Sequence, residues 1–280
     1  MNLKEVQKHW HAFGKMDPMW AILTWPDRKE NKWQRDEFFQ TGIIEINLIM
    51  QYVESLGITI PRHKALDFGC GIGRLTQALA NYFEEVYGVD ISPSMLELAE
   101  QYNNYGNRCQ YWLNDVDNLR LFNDDSFDFI YSLITLQHIQ PQYSKKYIKE
   151  FLRILAPGGL LIFHLPELRP LHDSSPGNRS KQFIKDVTPE ILLHFYRRVK
   201  ARRLEQPIME VYGIERAEIL RFLAEHGATI VDVQDVIEAT EEYMRLLGEH
   251  GIKVDITLEE MHRTMAAKRG IDFRYCVTKG

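Results

Sequence analysis

Cysteine is scarce in this chain: Cys70, Cys109 and Cys276 are the only three, and none forms a Cys-x-x-Cys pair. An odd, sparse set with no secretory leader excludes a disulfide framework and implies a reducing, cytoplasmic setting. Long apolar runs are missing too. None approaches the ~18 residues of a membrane-spanning helix, so no membrane span is expected. There is no excess of positive charge. The net charge of -5 leaves no overall electrostatic footprint for nucleic acid, only room for a local patch. Internal repeats and low-complexity tracts are also absent. What remains is a hydrophobic share of 45% and a charged share of 26% over 280 residues, enough for one large α/β domain or a domain with appendages.

Within that composition, the run Ala65-Leu66-Asp67-Phe68-Gly69-Cys70-Gly71-Ile72-Gly73-Arg74-Leu75-Thr76 reads as a buried strand, a glycine-rich turn and a helix start. Glycines at alternate positions admit positive φ and leave the main chain bare toward a ligand. The following helix, expected from Arg74 to Phe83, would aim free N–H groups at an anionic part of that ligand. A dinucleotide fingerprint requires a third small residue for close helix–strand packing. That place falls on Arg74 counting from Gly69 and on Thr76 counting from Gly71, so the fingerprint fails in both registers. No Gly-Lys-Ser/Thr follows to make a phosphate-binding loop.

Three later segments extend the pattern. Glu85–Asp90 is a short apolar strand ending in an acid, and Ser92-Pro93 after it is an N-cap and first-turn signal. A carboxylate at that strand end suits ribose hydroxyls, whichever nucleoside ligand carries them. Arg108 to Asp115 reads as a strand ending in Asn114-Asp115. Ser126 to Ser132 is a further strand, with Leu133 next and Leu136-Gln137-His138-Ile139 close behind, then a helix and the Pro157-Gly158-Gly159 turn.

In this order and spacing the segments resemble the class I S-adenosylmethionine-dependent methyltransferases, closely over about Ala65 to Pro166. The resemblance implies an α/β fold: a doubly wound, mostly parallel seven-stranded sheet with helices on both faces and the ligand at the strands' carboxyl ends. It implies S-adenosylmethionine as cofactor, converted to S-adenosylhomocysteine. Asp67, Gly69, Cys70, Gly71, Gly73 and Arg74 would surround its methionine end. Asp90, Ile91 and Met95 would meet the ribose side, and Asn114, Asp115 and Val116 the adenine. Ser132, Leu133 and His138 would lie near the methyl group.

Segments outside this core are expected to cover it. Residues 1–64 form an N-terminal helical cap, with helices at Leu3–Phe13 and Glu37–Leu56 joined by an aromatic loop. It carries Trp10, Trp20, Trp25 and Trp33, four of the chain's five tryptophans. Most of these are expected to pack the cap against the core, with Trp33, Phe39 and Thr41 as the cofactor contacts. Residues 65–280 form the domain proper, with insertions at 167–213 and 238–270. The first insertion holds a helix starting at Thr188-Pro189-Glu190. Ile191, Leu192, Phe195 and Val199 lie on one of its faces, and Arg197, Arg198, Lys200, Arg202 and Arg203 on the other. The second insertion reads as one or two acidic surface helices.

Methyl transfer from a sulfonium is an in-line displacement, so orientation supplies much of the rate, and a general base matters where the acceptor must lose a proton. His138, following the fourth strand, is the candidate base. His164, Glu167, His172 and Asp173 match no compact ligand motif, so no metal is expected. The expected partner is a small-molecule acceptor presenting oxygen or nitrogen. A tRNA or protein methyltransferase using the basic helix, and a non-catalytic cofactor-binding domain, are the alternatives.

Overall fold

The computed structural model describes residues 1–167, 206–254 and 271–279. Seven strands make one sheet: β1 (Lys64–Phe68), β2 (Glu85–Asp90), β3 (Cys109–Leu113), β4 (Phe127–Ser132), β5 (Leu155–Glu167), β6 (Ala228–Asp235) and β7 (Ile271–Lys279). Their spatial order is β3-β2-β1-β4-β5-β7-β6. The first five are parallel, and β7 runs antiparallel between β5 and β6. Strand order reverses between β1 and β4, which opens a crevice beyond their carboxyl ends.

The central strands are apolar nearly throughout, as strands covered on both faces must be. On β5, Leu160 and Ile162 pack with Ile49 and Val53 of α3 (Arg35–Ser55). The alternate residues Leu161 and Phe163 pack with Ile148 and Phe151 of α6 (Pro141–Ile154). Each side chain buried this way contributes about 1.5–3 kcal/mol. Short α4 (Arg74–Leu79) lies on the α3 face, and α7 (Arg216–Glu225) on the other.

Helix starts follow local chemistry. Asn2 caps α1 (Leu3–Met16) by accepting from Glu5 N at 3.0 Å, while the Glu5 carboxylate accepts from Asn2 N at 3.1 Å. Ser92 caps α5 (Pro93–Gln101), accepting from Met95 N at 3.3 Å. The segment expected as an aromatic loop contains α2 (Pro18–Ile22), which starts with proline at its first position. The helix expected to reach Phe83 ends at Leu79 because the chain tightens there, with Asn81 N on Ala78 O and Tyr82 N on Leu79 O.

The acidic segment expected on the surface begins as α8 (Val236–Glu249), directly after β6. Its Leu247 packs fully buried with Ile44 of α3 and Ile252, so this helix belongs partly to the core. Residues 168–205 and 255–270 lie outside the described residues. They include His172, Asp173, the basic helix expected after Thr188, Glu259 and Glu260. Among the described residues no helix is long and apolar enough to cross a membrane, and no cluster of three His, Cys, Asp or Glu is placed to hold a metal ion.

Candidate active site

The turn after β1 is bare backbone clamped from two sides. Gly69 and Gly71 have φ of +82° and +54°, where a side chain is strained. A Cβ on Gly69 would stand 2.1 Å from Thr135 Oγ1, and one on Gly71 would stand 2.6 Å from Ile22 Cδ1 of α2. The loop after β4 and the N-terminal cap therefore close directly on the glycines. The close helix–strand approach that a dinucleotide fingerprint assigns to its third glycine is met from the strand instead: a Cβ on Gly88 of β2 would sit 2.9 Å from Thr76 Oγ1.

Hydrogen bonds tie the turn to β2. Gly69 N and Cys70 N donate to Val89 O at 2.7 and 3.1 Å, and Gly71 N donates to Asp90 Oδ2 at 2.9 Å. Asp90 Oδ1 accepts from Ser92 N at 2.8 Å. Burial pushes the Asp90 carboxyl above its ordinary range, and the N–H groups of Ser92, Gly71 and Ile91 oppose that shift.

Beyond the turn lies a crevice with about 740 Å³ of empty volume, part of it open to solvent. Gly69, Gly71, Asp90, Ile91 and Asn114 form one part of its lining, with Phe68 and Tyr147 beside them. Leu3, Val6 and Trp10 of α1 face it at helical spacing, joined by Ala21 and Ile22 of α2. Leu133, Ile134, Thr135, His138 and Ile139 come from the loop after β4.

His138 is buried and firmly oriented. Its Nδ1 lies 2.6 Å from the Glu210 carbonyl, which can only accept, so Nδ1 carries the proton. Nε2 is then the basic nitrogen, and the Gln137 amide donates to it across 3.1 Å. The Trp10 ring meets the imidazole edge-on at 5.3 Å.

The crevice thus brings together Gly69, Gly71, Asp90, Ile91, Asn114, Leu133 and His138 from the residues expected there. The other expected residues lie elsewhere. Strand alternation turns Asp67 away from the neighbouring Phe68 and toward α4, where it accepts from Thr76 Oγ1 at 2.7 Å. Cys70 is buried with its thiol near Gly71 O, and Gly73 abuts the Tyr111 ring. Arg74 runs under α3, where its guanidinium donates to Thr41 Oγ1 at 3.1 Å. Met95 is buried beneath the cap with Phe13 and Ile72.

Asp115 and Val116 are exposed, and Ser132 Oγ donates to Phe68 O at 3.2 Å. Trp33 is buried in the cap, and Phe39 faces a separate cleft with Arg74 and Gln77. The cap therefore reaches the crevice through α1 and α2 rather than through Trp33, Phe39 and Thr41. The spacing of Leu3, Val6 and Trp10 was a signal for α1, and Asp17-Pro18 for α2.

Residues 66–163 match the family profile described as a methyltransferase domain. A phosphoethanolamine N-methyltransferase of Triticum aestivum is 32% identical over 148 residues, which is 52% of this chain and 27% of that protein. A ubiquinone biosynthesis O-methyltransferase of Coxiella burnetii is 33% identical over 118 residues, covering 41% of this chain and 47% of that protein. The chain thus matches under half the length of these curated relatives. Among solved structures, magnesium protoporphyrin IX methyltransferase of Synechocystis PCC 6803 with bound S-adenosylhomocysteine covers 99% of both chains at a TM-score of 0.57 and 16% identity, a likeness of fold. Residues 66–163 thus match a methyltransferase domain, and the chain as a whole shares the fold of that solved methyltransferase.

Proposed function

We propose that the crevice binds S-adenosylmethionine and that the protein transfers its methyl group to an oxygen or nitrogen of a small molecule. The observation that carries this reading is the bare glycine turn held against Asp90 through the Gly71 N–H. The residues present suit such a cofactor. Asp90 accepts backbone N–H groups on both oxygens, and a carboxylate offers about four acceptor positions, leaving capacity for a ribose hydroxyl. Ile91 and Asn114 would hold the adenine side, and the clamped turn would hold the methionine side. When bound, the cofactor supplies an electrophilic methyl carbon on a sulfonium. His138 would take the acceptor's proton through Nε2, with its orientation fixed by the Glu210 carbonyl. Residues 1–64 would act as the cap that excludes water from the crevice.

Isothermal titration of the full chain with S-adenosylmethionine tests the first half: we expect one equivalent bound, and no heat at millimolar cofactor would refute it. Labelled methyl transfer into a cell extract, separated by size, tests the second half. Label among small molecules is expected, whereas label in RNA or protein would overturn that choice of acceptor. His138→Gln should lower kcat by about 10²–10⁴-fold while cofactor affinity stays within a few-fold, and unchanged turnover at saturation would remove His138 from the chemistry.

A further inference from the structure

The loop after β3 runs alongside α6 and is bonded to it in register. The Tyr147 hydroxyl donates to Val116 O at 2.5 Å, Leu119 N donates to the Glu150 carboxylate at 2.7 Å, and Arg153 Nη1 donates to Phe122 O at 3.1 Å. Every third residue of the helix thus meets every third residue of the loop. Of these contacts the first reaches the crevice, whose lining includes both Tyr147 and Asn114. There Asn114 Nδ2 donates to Val116 O at 3.0 Å and to the Tyr147 oxygen at 3.4 Å. Val116 O can only accept, and the Tyr147 proton is committed to it, so both neighbours demand a donor from Asn114. The amide is therefore held one way round. Its Oδ1 accepts from none of the described residues and is the atom left for a ligand.

We propose that Tyr147 is a positioning residue that makes the crevice select adenine over hypoxanthine: by holding Val116 O and the Asn114 amide, it keeps Asn114 Oδ1 turned to accept from the exocyclic amino group of the cofactor's base. This inference rests on the cofactor reading above. It moves recognition of the base from Asp115, which is exposed, to two buried side chains. A carboxamide oxygen accepts from the amino group of adenine. Against hypoxanthine it meets a carbonyl oxygen with no proton between them, and a buried acceptor left in that state has lost its water without replacement. Removing the Tyr147 hydroxyl takes one donor from Val116 O and one of the two contacts that fix the amide. The loop is then released from α6 at its crevice end, and Oδ1 no longer holds one direction. The Tyr147 ring itself packs on Phe68 with centroids 4.6 Å apart, so phenylalanine in its place keeps the packing and loses the hydroxyl alone.

The test titrates the full chain by calorimetry with S-adenosylhomocysteine and with S-inosylhomocysteine, in which hypoxanthine replaces adenine. The parent should bind the adenine probe at least about 10-fold more tightly. Tyr147→Phe should bring that ratio within about 3-fold, by weakening the adenine probe more than the other, while circular dichroism shows the fold intact. Asn114→Ala removes the acceptor and should flatten the ratio as well. The double variant should be no flatter than either single one, because the two side chains act as a unit. Equal affinities in the parent overturn the proposal and leave the cofactor reading standing. So does a Tyr147→Phe variant that weakens both probes by the same factor, which would make Tyr147 a packing residue, or an Asn114→Ala variant that keeps the parent's ratio. Binding of neither probe overturns the proposal together with the cofactor reading.

Discussion

Ile134 has φ of +59° and lies in the loop that lines the crevice. A β-branched residue in the left-handed region is strained by about 1–3 kcal/mol and persists only where its neighbours over-determine the chain. They do so here: Thr135 Oγ1 donates to Leu133 O at 3.1 Å, His138 N donates to Thr135 O at 3.0 Å, and Tyr212 N donates to Gln137 O at 2.7 Å. The strain turns the chain so that one short loop delivers both Ile134 and His138 to the same cavity. Both Ile134→Ala and Ile134→Gly lose the side chain, but only glycine is at ease at this φ. The glycine variant should therefore be the more stable by about 1 kcal/mol in urea unfolding, reversing the usual order of the two residues. The usual order, with alanine the more stable, would show that the loop is not strained. Nothing in the letters Leu-Ile-Thr announces a positive φ, since it arises from contacts with Gly69 and with residues some 70 positions later. By contrast, Asp90 and the glycines were legible because strand ends and bare turns have local signatures.

At the scale of elements, Gly42 of α3 lies against the start of α4, the helix that follows the glycine turn. A Cβ there would stand 2.5 Å from the Arg74 carbonyl oxygen and 2.8 Å from its Cγ. Mid-helix glycine to alanine ordinarily gains about 1 kcal/mol. Here the obstructing atom is backbone and cannot rotate aside, so overpacking at about 1–3 kcal/mol outweighs the gain. Gly42→Ala should lower the unfolding free energy and weaken cofactor binding, because α3 would be levered off Arg74 and the turn before it. A variant more stable than the parent would mean that the helices part without cost. The same contact explains why residues 37–42 do not line the crevice: Thr41 and Gly42 are occupied with Arg74. Element types in the central sheet were readable from apolar runs and turn residues. The partners of the cap helices were not, because α1 and α3 both carry apolar faces and only packing decides which one lines the crevice.

Across the whole molecule, the alternation of strands and helices predicts a parallel sheet but not the insertion of β7, last in the chain, between β5 and β6. That pairing depends on long-range closure, which no local pattern encodes. Burial of Asp67 is a similar global consequence. The residue sits in a central strand with 1% of its surface exposed, and burial pushes its carboxyl up to about 6. The Thr76 hydroxyl and the Arg74 charge hold it from rising further. In the unfolded chain the group titrates at its ordinary value near 3.8. Between about pH 4 and 6 the folded state therefore binds more protons than the unfolded one, so this group's effect is that stability falls as pH rises through that window and then levels off. A shift of about two units corresponds to about 3 kcal/mol. Asp67→Asn keeps an oxygen that can accept from Thr76 Oγ1 and abolishes the linked proton. Measured by urea unfolding, the variant's stability relative to the parent should thus improve by about 3 kcal/mol from about pH 4 to about pH 7, and a difference constant with pH would show that Asp67 stays ionised in the fold throughout.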